Sequence, residues 1–145
     1  MRQAGSVGCK FSYSLPMIKS PFILNILDLL LDGDELGLAL RNQIPYLTDA
    51  EYEYTGVGLF VTFSCDEQIH DFEISHATQS FDGVEIKSPE LAVGAYTRVS
   101  ARNGILDYLE IWSYDGNYPR KELSSYTLIQ TWRNSQNRKI EKNNT

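Results

Sequence analysis

The segment LDYLEIWSYDGNY, from Leu106 to Tyr118, places one carboxylate among aromatic rings. Alternate side chains of a strand point to the same side. The side chains that should share one face are Leu106, Tyr108, Glu110 and Trp112. A carboxylate between rings loses hydration, which suits it to general acid work or to binding a ligand that stacks on Trp112. The alternative that we favour is an ordinary cross-strand contact between Glu110 and Arg98.

The turn after this strand extends the candidate ligand site. In SYDGNYP, the residues Asp115, Gly116 and Asn117 supply turn-forming chemistry between two tyrosines. The residues predicted to contact a small molecule or a sugar are Tyr108, Glu110, Trp112, Tyr114, Asp115 and Tyr118. No catalytic residue is predicted, because a lone carboxylate without a placed partner does not make an active site.

A second candidate is the acidic series Asp49, Glu51 and Glu53 in TDAEYEYT. Alternation with Ala50 and the tyrosines predicts a strand with these carboxylates on one face. Two carboxylates at a controlled separation can perform glycosidic chemistry. A solvated face is the simpler interpretation, and such a face would also attract a basic protein partner.

A third candidate combines Cys65, His70 and His76 within twelve residues. Zinc accepts these ligand types, but the spacings C-x4-H and H-x5-H match no standard structural site. A Cys-His nucleophile would need an orienting residue, and the sequence identifies none. We therefore expect no metal and no cofactor, with both histidines in loops or at strand edges.

Charge and composition limit the classes of function. The chain has 145 residues, a net charge of −6 and a pI of about 4.8. This balance argues against a nucleic-acid binder, whose affinity depends on Lys and Arg. An ordinary soluble surface is the simpler interpretation of the net charge, and any charged partner would be basic. Two cysteines and no signal-like start predict a reduced, cytoplasmic protein. The longest apolar run, residues 22–31, is too short for a membrane span.

The part of the chain that precedes Pro45 predicts helices. Residues 1–16 read as an arm outside the domain, and Met17 is a possible true start. Ser20 and Pro21 suit the start of a mostly buried helix, and Gly33 suits its C-terminal cap. Asp34 suits the N-cap of a second helix, whose pattern ends at Pro45. These signals predict an N-terminal helical hairpin.

The remainder predicts an antiparallel sheet. Alternating patterns follow Pro45, and Asn103–Gly104 is the pair that a type I′ hairpin turn favours. A last strand is predicted over residues 126–132, followed by a polar tail at 134–145. The predicted fold is a single α+β domain over residues 17–133, with the helical hairpin packed on a mainly antiparallel β-sheet.

Two segments, EYTGVGLFVTFS and NGILDYLEIWSYDGNYP, resemble a family of small bacterial proteins of unknown function. Members of that family combine a helical start, a Thr-Gly-Val-Gly strand and a Gly-x-Leu-x-x-Leu-Glu hairpin strand that ends in an aromatic, acidic turn. The similarity covers about residues 20–119. It implies that residues 1–16 are dispensable, and it brings no substrate, cofactor or catalytic residue.

Two functional hypotheses follow. The first is a non-enzymatic protein-interaction module of the immunity or antitoxin kind, which binds a basic partner through Asp49, Glu51 and Glu53. The second is a small-molecule or carbohydrate binder that uses the strip of Tyr108, Glu110 and Trp112. A hydrolase is one form of this second hypothesis. The sequence favours the first, because the net charge is negative and no complete catalytic constellation is present.

Overall fold

Strands are the most abundant regular element of the described structure, as the alternating patterns after Pro45 predict. The computed structural model describes residues 10–11, 17–75 and 78–143. The helices are α1 (Pro21–Leu30) and α2 (Glu35–Arg41), with two short 3-10 helices at Ile44–Tyr46 and Glu67–Phe72. The strands are β1 (Lys10–Phe11), β2 (Leu47–Tyr54), β3 (Gly58–Cys65), β4 (Thr78–Lys87), β5 (Ala95–Arg102), β6 (Ile105–Ser113), β7 (Tyr126–Gln130) and β8 (Lys139–Lys142).

All eight strands belong to one sheet. The hydrogen-bonded order is β1-β3-β6-β5-β4-β7-β8, and β2 pairs with β3. Every pair is antiparallel except β1 with β3. Helix α1 packs against β4, β5 and β7, and the core lies between this helix and the sheet. The α+β class predicted from the sequence is confirmed.

Helix α1 begins as the sequence predicts. The hydroxyl of Ser20 accepts a hydrogen bond from the backbone N–H of Ile23 at 3.2 Å, and Pro21 occupies the first turn. The predicted end is wrong, since the helix stops at Leu30 with Leu31 as its C-cap. Helix α1 has ten residues, and no helix in the described part of the chain is long and apolar enough to span a membrane.

The two helices are consecutive, but the structure does not show them as a packed hairpin. Asp34 caps α2 as predicted, through a 2.7 Å hydrogen bond from the backbone N–H of Gly37. Helix α2 buries only Gly37 and Leu40. The sheet, and not α2, provides the main packing surface of α1.

Two buried glutamines connect the helical part to the sheet. Gln43 has no exposed surface; its amide donates to the carbonyl oxygens of Phe72 and Gly104 and accepts from the N–H of Leu106 at 2.8 Å. Gln130, 1% exposed, donates to the carbonyl oxygen of Leu29 at 3.0 Å. Each amide thus supplies hydrogen-bond partners to backbone groups of distant segments.

The C-terminal segment is not simply a polar tail. Strand β8 pairs with β7, so the predicted domain boundary at residue 133 comes too early. Arg138 contacts Asp28 at 3.1 Å and Asp32 at 2.8 Å, and Arg41 contacts Asp28 at 2.7 Å. This cluster of four charges fixes the start of β8 against the helices.

We predict that Gln43→Leu lowers the free energy of unfolding by about 2 to 4 kcal/mol. The substitution leaves the buried Leu106 N–H without its partner. It also removes one hydrogen bond each from the carbonyl oxygens of Phe72 and Gly104, of which Gly104 still accepts from the N–H of Ile74. Urea denaturation measures the change. Gln68→Leu, at an exposed position, is the control and should change stability by less than about 0.5 kcal/mol. An equal effect of both substitutions would contradict the tethering role of Gln43.

We also predict acid sensitivity from the charge cluster. Burial alone would raise the pKa of Asp28, but hydrogen bonds from Arg138 and Arg41 outweigh it and hold the pKa below its usual value. The hydrogen bond from Arg138 likewise lowers the pKa of Asp32. Near pH 4 the unfolded chain therefore binds more protons than the folded chain, and the stabilisation is lost as the pH falls through the folded pKa values.

Arg138→Gln tests this cluster. At pH 7 it should cost about 1 kcal/mol, because the ion pairs are partly exposed. The loss of stability between pH 7 and pH 3, measured by urea denaturation, should also become smaller. Arg133→Gln, at an exposed position, is the matched control. An unchanged pH dependence in Arg138→Gln would contradict the assignment.

Candidate functional site

The side of the sheet opposite α1 carries most of the predicted site residues, and we call it the outer face. Cross-strand register defines it: Phe60 pairs with Glu110, Glu110 with Arg98, and Arg98 with Asp82. Side chains two positions along each strand from these residues point to the same side of the sheet. The outer face consists of Glu51, Glu53, Phe60, Thr62, Asp82, Glu85, Lys87, Tyr96, Arg98, Ser100, Tyr108, Glu110 and Trp112.

Aromatic rings on the outer face contact one another across strands. Phe60 and Tyr108 stack with centroids 4.6 Å apart, and Tyr96 meets Trp112 edge-on at 5.3 Å. Tyr114, just beyond β6, lies 6.3 Å from Tyr96. These rings are half-buried or exposed. Together they form a large aromatic surface that remains accessible among the described residues.

Glu110 makes the cross-strand contact that the sequence favours. Its carboxylate lies 3.7 Å from the guanidinium of Arg98, which also approaches Asp82 at 3.9 Å. The Arg98 guanidinium lies 5.6 Å from the ring centroid of Trp112. Tyr108, Glu110 and Trp112 share the outer face as predicted. Leu106 does not, because an irregularity at Ser100–Ala101 brings it opposite Ala101, and it is fully buried.

The other three predicted ligand residues do not share one surface. Tyr114 is exposed and donates to Glu85 at 3.0 Å; burial and this bond raise its pKa to about 12. Asp115 accepts hydrogen bonds from the Ser113 hydroxyl and the Asn117 N–H, which lower its pKa and close the turn. Tyr118 is 5% exposed, and burial raises its pKa. Tyr114 therefore lies beside the outer face, through its contacts with Tyr96 and Glu85, and Asp115 and Tyr118 belong to the turn that follows it.

The prediction that Asp49, Glu51 and Glu53 lie on one face is wrong. A register shift in β2 places Asp49 opposite Phe63, on the core side, and Glu51 opposite Thr62, on the outer side. Asp49 accepts hydrogen bonds from the N–H groups of Lys19 and Ser20, at 3.0 and 3.3 Å. It therefore fixes the entry to α1, and only the two glutamates extend the outer face.

The outer face is acidic. On strands β2 to β6 its carboxylates are Glu51, Glu53, Asp82, Glu85 and Glu110, and its cations are Lys87 and Arg98. Lys87 lies 3.7 Å from Glu85, and Arg98 lies between Asp82 and Glu110. Five carboxylates against two cations leave a surplus of negative charge beside the aromatic rings.

The third predicted cluster does not form a reactive site. Cys65 is fully buried and disulfide-bonded, so it supplies no thiolate; the other cysteine of the sequence is Cys9. His70 lies in a 3-10 helix with Nδ1 2.6 Å from Glu73, and His76 lies outside the described residues. No group of three potential metal ligands occurs among the described residues. Because disulfides are rare in the cytoplasm, Cys65 weighs against the expected reducing environment.

A cleft that the sequence does not reveal lies beside residues 80–82, in the first half of β4. Its volume is about 730 Å³, and it is lined by the connection between α1 and α2, by residues 80–82 of β4 and by the connection between β7 and β8. Two smaller clefts measure about 510 and 440 Å³. Of the predicted ligand residues, Asp115 and Tyr118 line the smallest, and Tyr108, Glu110 and Trp112 line none of the three.

The two segments that carry the family resemblance contact each other. Gly58 lies so close to β6 that an added Cβ would stand 2.0 Å from the carbonyl oxygen of Ile111. The carbonyl oxygens of Gly56 and Val57 accept hydrogen bonds from the N–H groups of Tyr118 and Ser113. The Thr-Gly-Val-Gly turn is thus a packing feature between β3 and the turn after β6.

Comparisons of the sequence with protein-family models and with curated proteins, and of the structure with solved structures, found no match. The family resemblance therefore stays a prediction.

We predict that Glu110 and Arg98 are only weakly coupled. Their side chains are 32% and 42% exposed, so solvent screens the ion pair. A double-mutant cycle with Glu110→Ala and Arg98→Ala, measured by urea denaturation, should give a coupling energy of about 0.5 kcal/mol. A coupling above about 2 kcal/mol would contradict a solvent-screened pair on an accessible face.

Proposed function

We propose that this protein is a non-enzymatic interaction module that binds a basic protein through its outer face. The observation that carries the proposal is the surplus of carboxylates around a cluster of accessible aromatic rings. Aromatic side chains anchor protein interfaces, and complementary charge accelerates association and selects the partner. The same negative surface repels the phosphates of nucleic acids.

The geometry suits an arginine-rich or lysine-rich surface. Phe60 has Glu53 as its partner on β2 and Glu110 as its partner on β6. A partner cation above this ring would meet the negative face of the π-system with a carboxylate on either side. An immunity or antitoxin role is the biological form of this proposal, and the helical hairpin and the family resemblance stay predictions that belong to it. The expected cytoplasmic location also stays a prediction, and the disulfide of Cys65 weighs against it.

The alternative, a ligand or carbohydrate site on Tyr108, Glu110 and Trp112, receives less support. Binding sites for small molecules are concave, and none of the three clefts is lined by this strip. Glu110 is also engaged with Arg98. We therefore do not propose a hydrolase.

Charge reversal tests the proposal. Immobilised wild type, Glu51→Lys/Glu53→Lys and the control Glu67→Lys/Asp71→Lys are each incubated with a lysate of the source organism. Both variants change the net charge equally, and the control residues are exposed in a 3-10 helix that is not part of the outer face. We expect a basic protein to be retained by wild type and control and lost with the outer-face variant.

The retained protein is then purified and titrated by calorimetry. Its affinity should fall at least about tenfold with Glu51→Lys/Glu53→Lys and with Trp112→Ala, and should weaken with added salt. The proposal would be contradicted if both charge-reversal variants retained the basic protein as well as wild type does. It would also be contradicted if the wild-type sample retained no basic protein.

A further inference from the structure

The large cleft beside β4 has the dimensions of a ligand site. Its volume, about 730 Å³, falls within the range of pockets that hold small organic molecules. Strand β7 pairs with β4 only from Val84 to Lys87, so residues 80–82 extend past it toward the cleft. The hydrogen bond of 2.8 Å between Arg138 and Asp32 connects two of its walls. The cleft is thus held in shape by contacts within the protein.

Two glycines fix an aromatic ring at this cleft. An added Cβ at Gly33 would stand 2.5 Å from the six-membered ring of Trp132, and one at Gly83 would stand 2.5 Å from the Cβ of the same tryptophan. No other residue type leaves room for the indole at these positions. Its Nε1 donates to the carbonyl oxygen of Leu29 at 3.4 Å. The half-buried indole is therefore a rigid wall of the cleft.

The polar groups around Trp132 combine donors with acceptors. Arg133 is exposed, and no hydrogen bond or ion pair engages its guanidinium among the described residues. Asn134 and Gln136 add exposed amides, each of which donates and accepts. Asp34 uses one oxygen to cap α2, and Asp82 lies 3.9 Å from Arg98. These side chains come from three separate segments and line the cleft together with the indole.

This composition favours a neutral, hydroxyl-rich ligand. The cleft has three carboxylates and two guanidinium groups, so it carries little net charge for an ion. A hydroxyl group donates and accepts, and can therefore satisfy guanidinium, amide and carboxylate groups together. The flat C–H face of a sugar ring can pack on an indole and exclude water from it.

We propose that this cleft binds a neutral mono- or disaccharide, which stacks on Trp132 and hydrogen-bonds to Arg133, Gln136 and Asp82. The cleft shares Asp82 with the outer face, but the residues that the partner test changes there, Glu51, Glu53 and Trp112, do not line it. The cleft is concave, whereas the strip of Tyr108, Glu110 and Trp112 lines none of the three clefts.

Tryptophan fluorescence tests the proposal directly. The chain has two tryptophans, so Trp112→Phe leaves Trp132 as the only indole reporter. This variant is titrated with glucose, galactose, N-acetylglucosamine, maltose and cellobiose. We expect a saturable change in emission with at least one sugar. Adding Arg133→Ala and Gln136→Ala should weaken its affinity at least about tenfold, which corresponds to about 1.4 kcal/mol.

Controls separate binding from misfolding and from the proposed partner interaction. Lys121→Ala and Glu51→Lys/Glu53→Lys should leave the titration unchanged, and urea denaturation should show that the cleft variant remains folded. No change in emission with all five sugars up to about 100 mM, where a site of millimolar affinity is saturated, would overturn the proposal. A saturable response to arginine or inorganic phosphate, without one to any sugar, would also overturn it.

Discussion

The attachment of the helices to the sheet depends on two buried glutamine amides. Gln43 holds the chain after α2 against the start of β6, and Gln130 holds the end of α1 against β7. A buried amide is stabilising only when all of its partners are in place, so both glutamines also determine where the helices lie. Gln130 also helps to position β8, because its side-chain oxygen accepts a hydrogen bond from the backbone N–H of Arg138.

Local signals in the sequence predicted the helix caps and the hairpin turn better than they predicted the register between strands. The hairpin turn at Asn103–Gly104 has the positive φ angles, 53° and 81°, that a type I′ turn requires. The caps at Ser20 and Asp34 were likewise evident, because each depends on residues a few positions apart. The register shifts in β2 and between β5 and β6 could not be predicted in this way. A one-residue shift in strand pairing depends on partner strands that are distant in the sequence. For this reason Asp49 and Leu106 lie on the side opposite to their predicted face.

The same limit applies to the candidate sites. The aromatic and acidic outer face follows in part from alternation in β6, but the neighbours of Glu110 come from β3 and β5. The cleft joins three segments separated by up to about a hundred residues, and no spacing in the sequence brings them together. Gly33 suggested a helix cap, whereas its structural role is to make room for Trp132. The reason for that glycine becomes evident only once the indole is in place.

The position of β2 at one edge of the described sheet has a consequence for self-association. An edge strand offers unpaired backbone groups to any other strand, including the same strand of a second molecule. The register shift beyond Asp49 interrupts that edge, and Glu51 and Glu53 would bring like charges together if two copies paired. The carboxylates that we propose to attract a basic partner would thus also keep identical molecules apart, so the proposed recognition and resistance to aggregation would share the same two side chains.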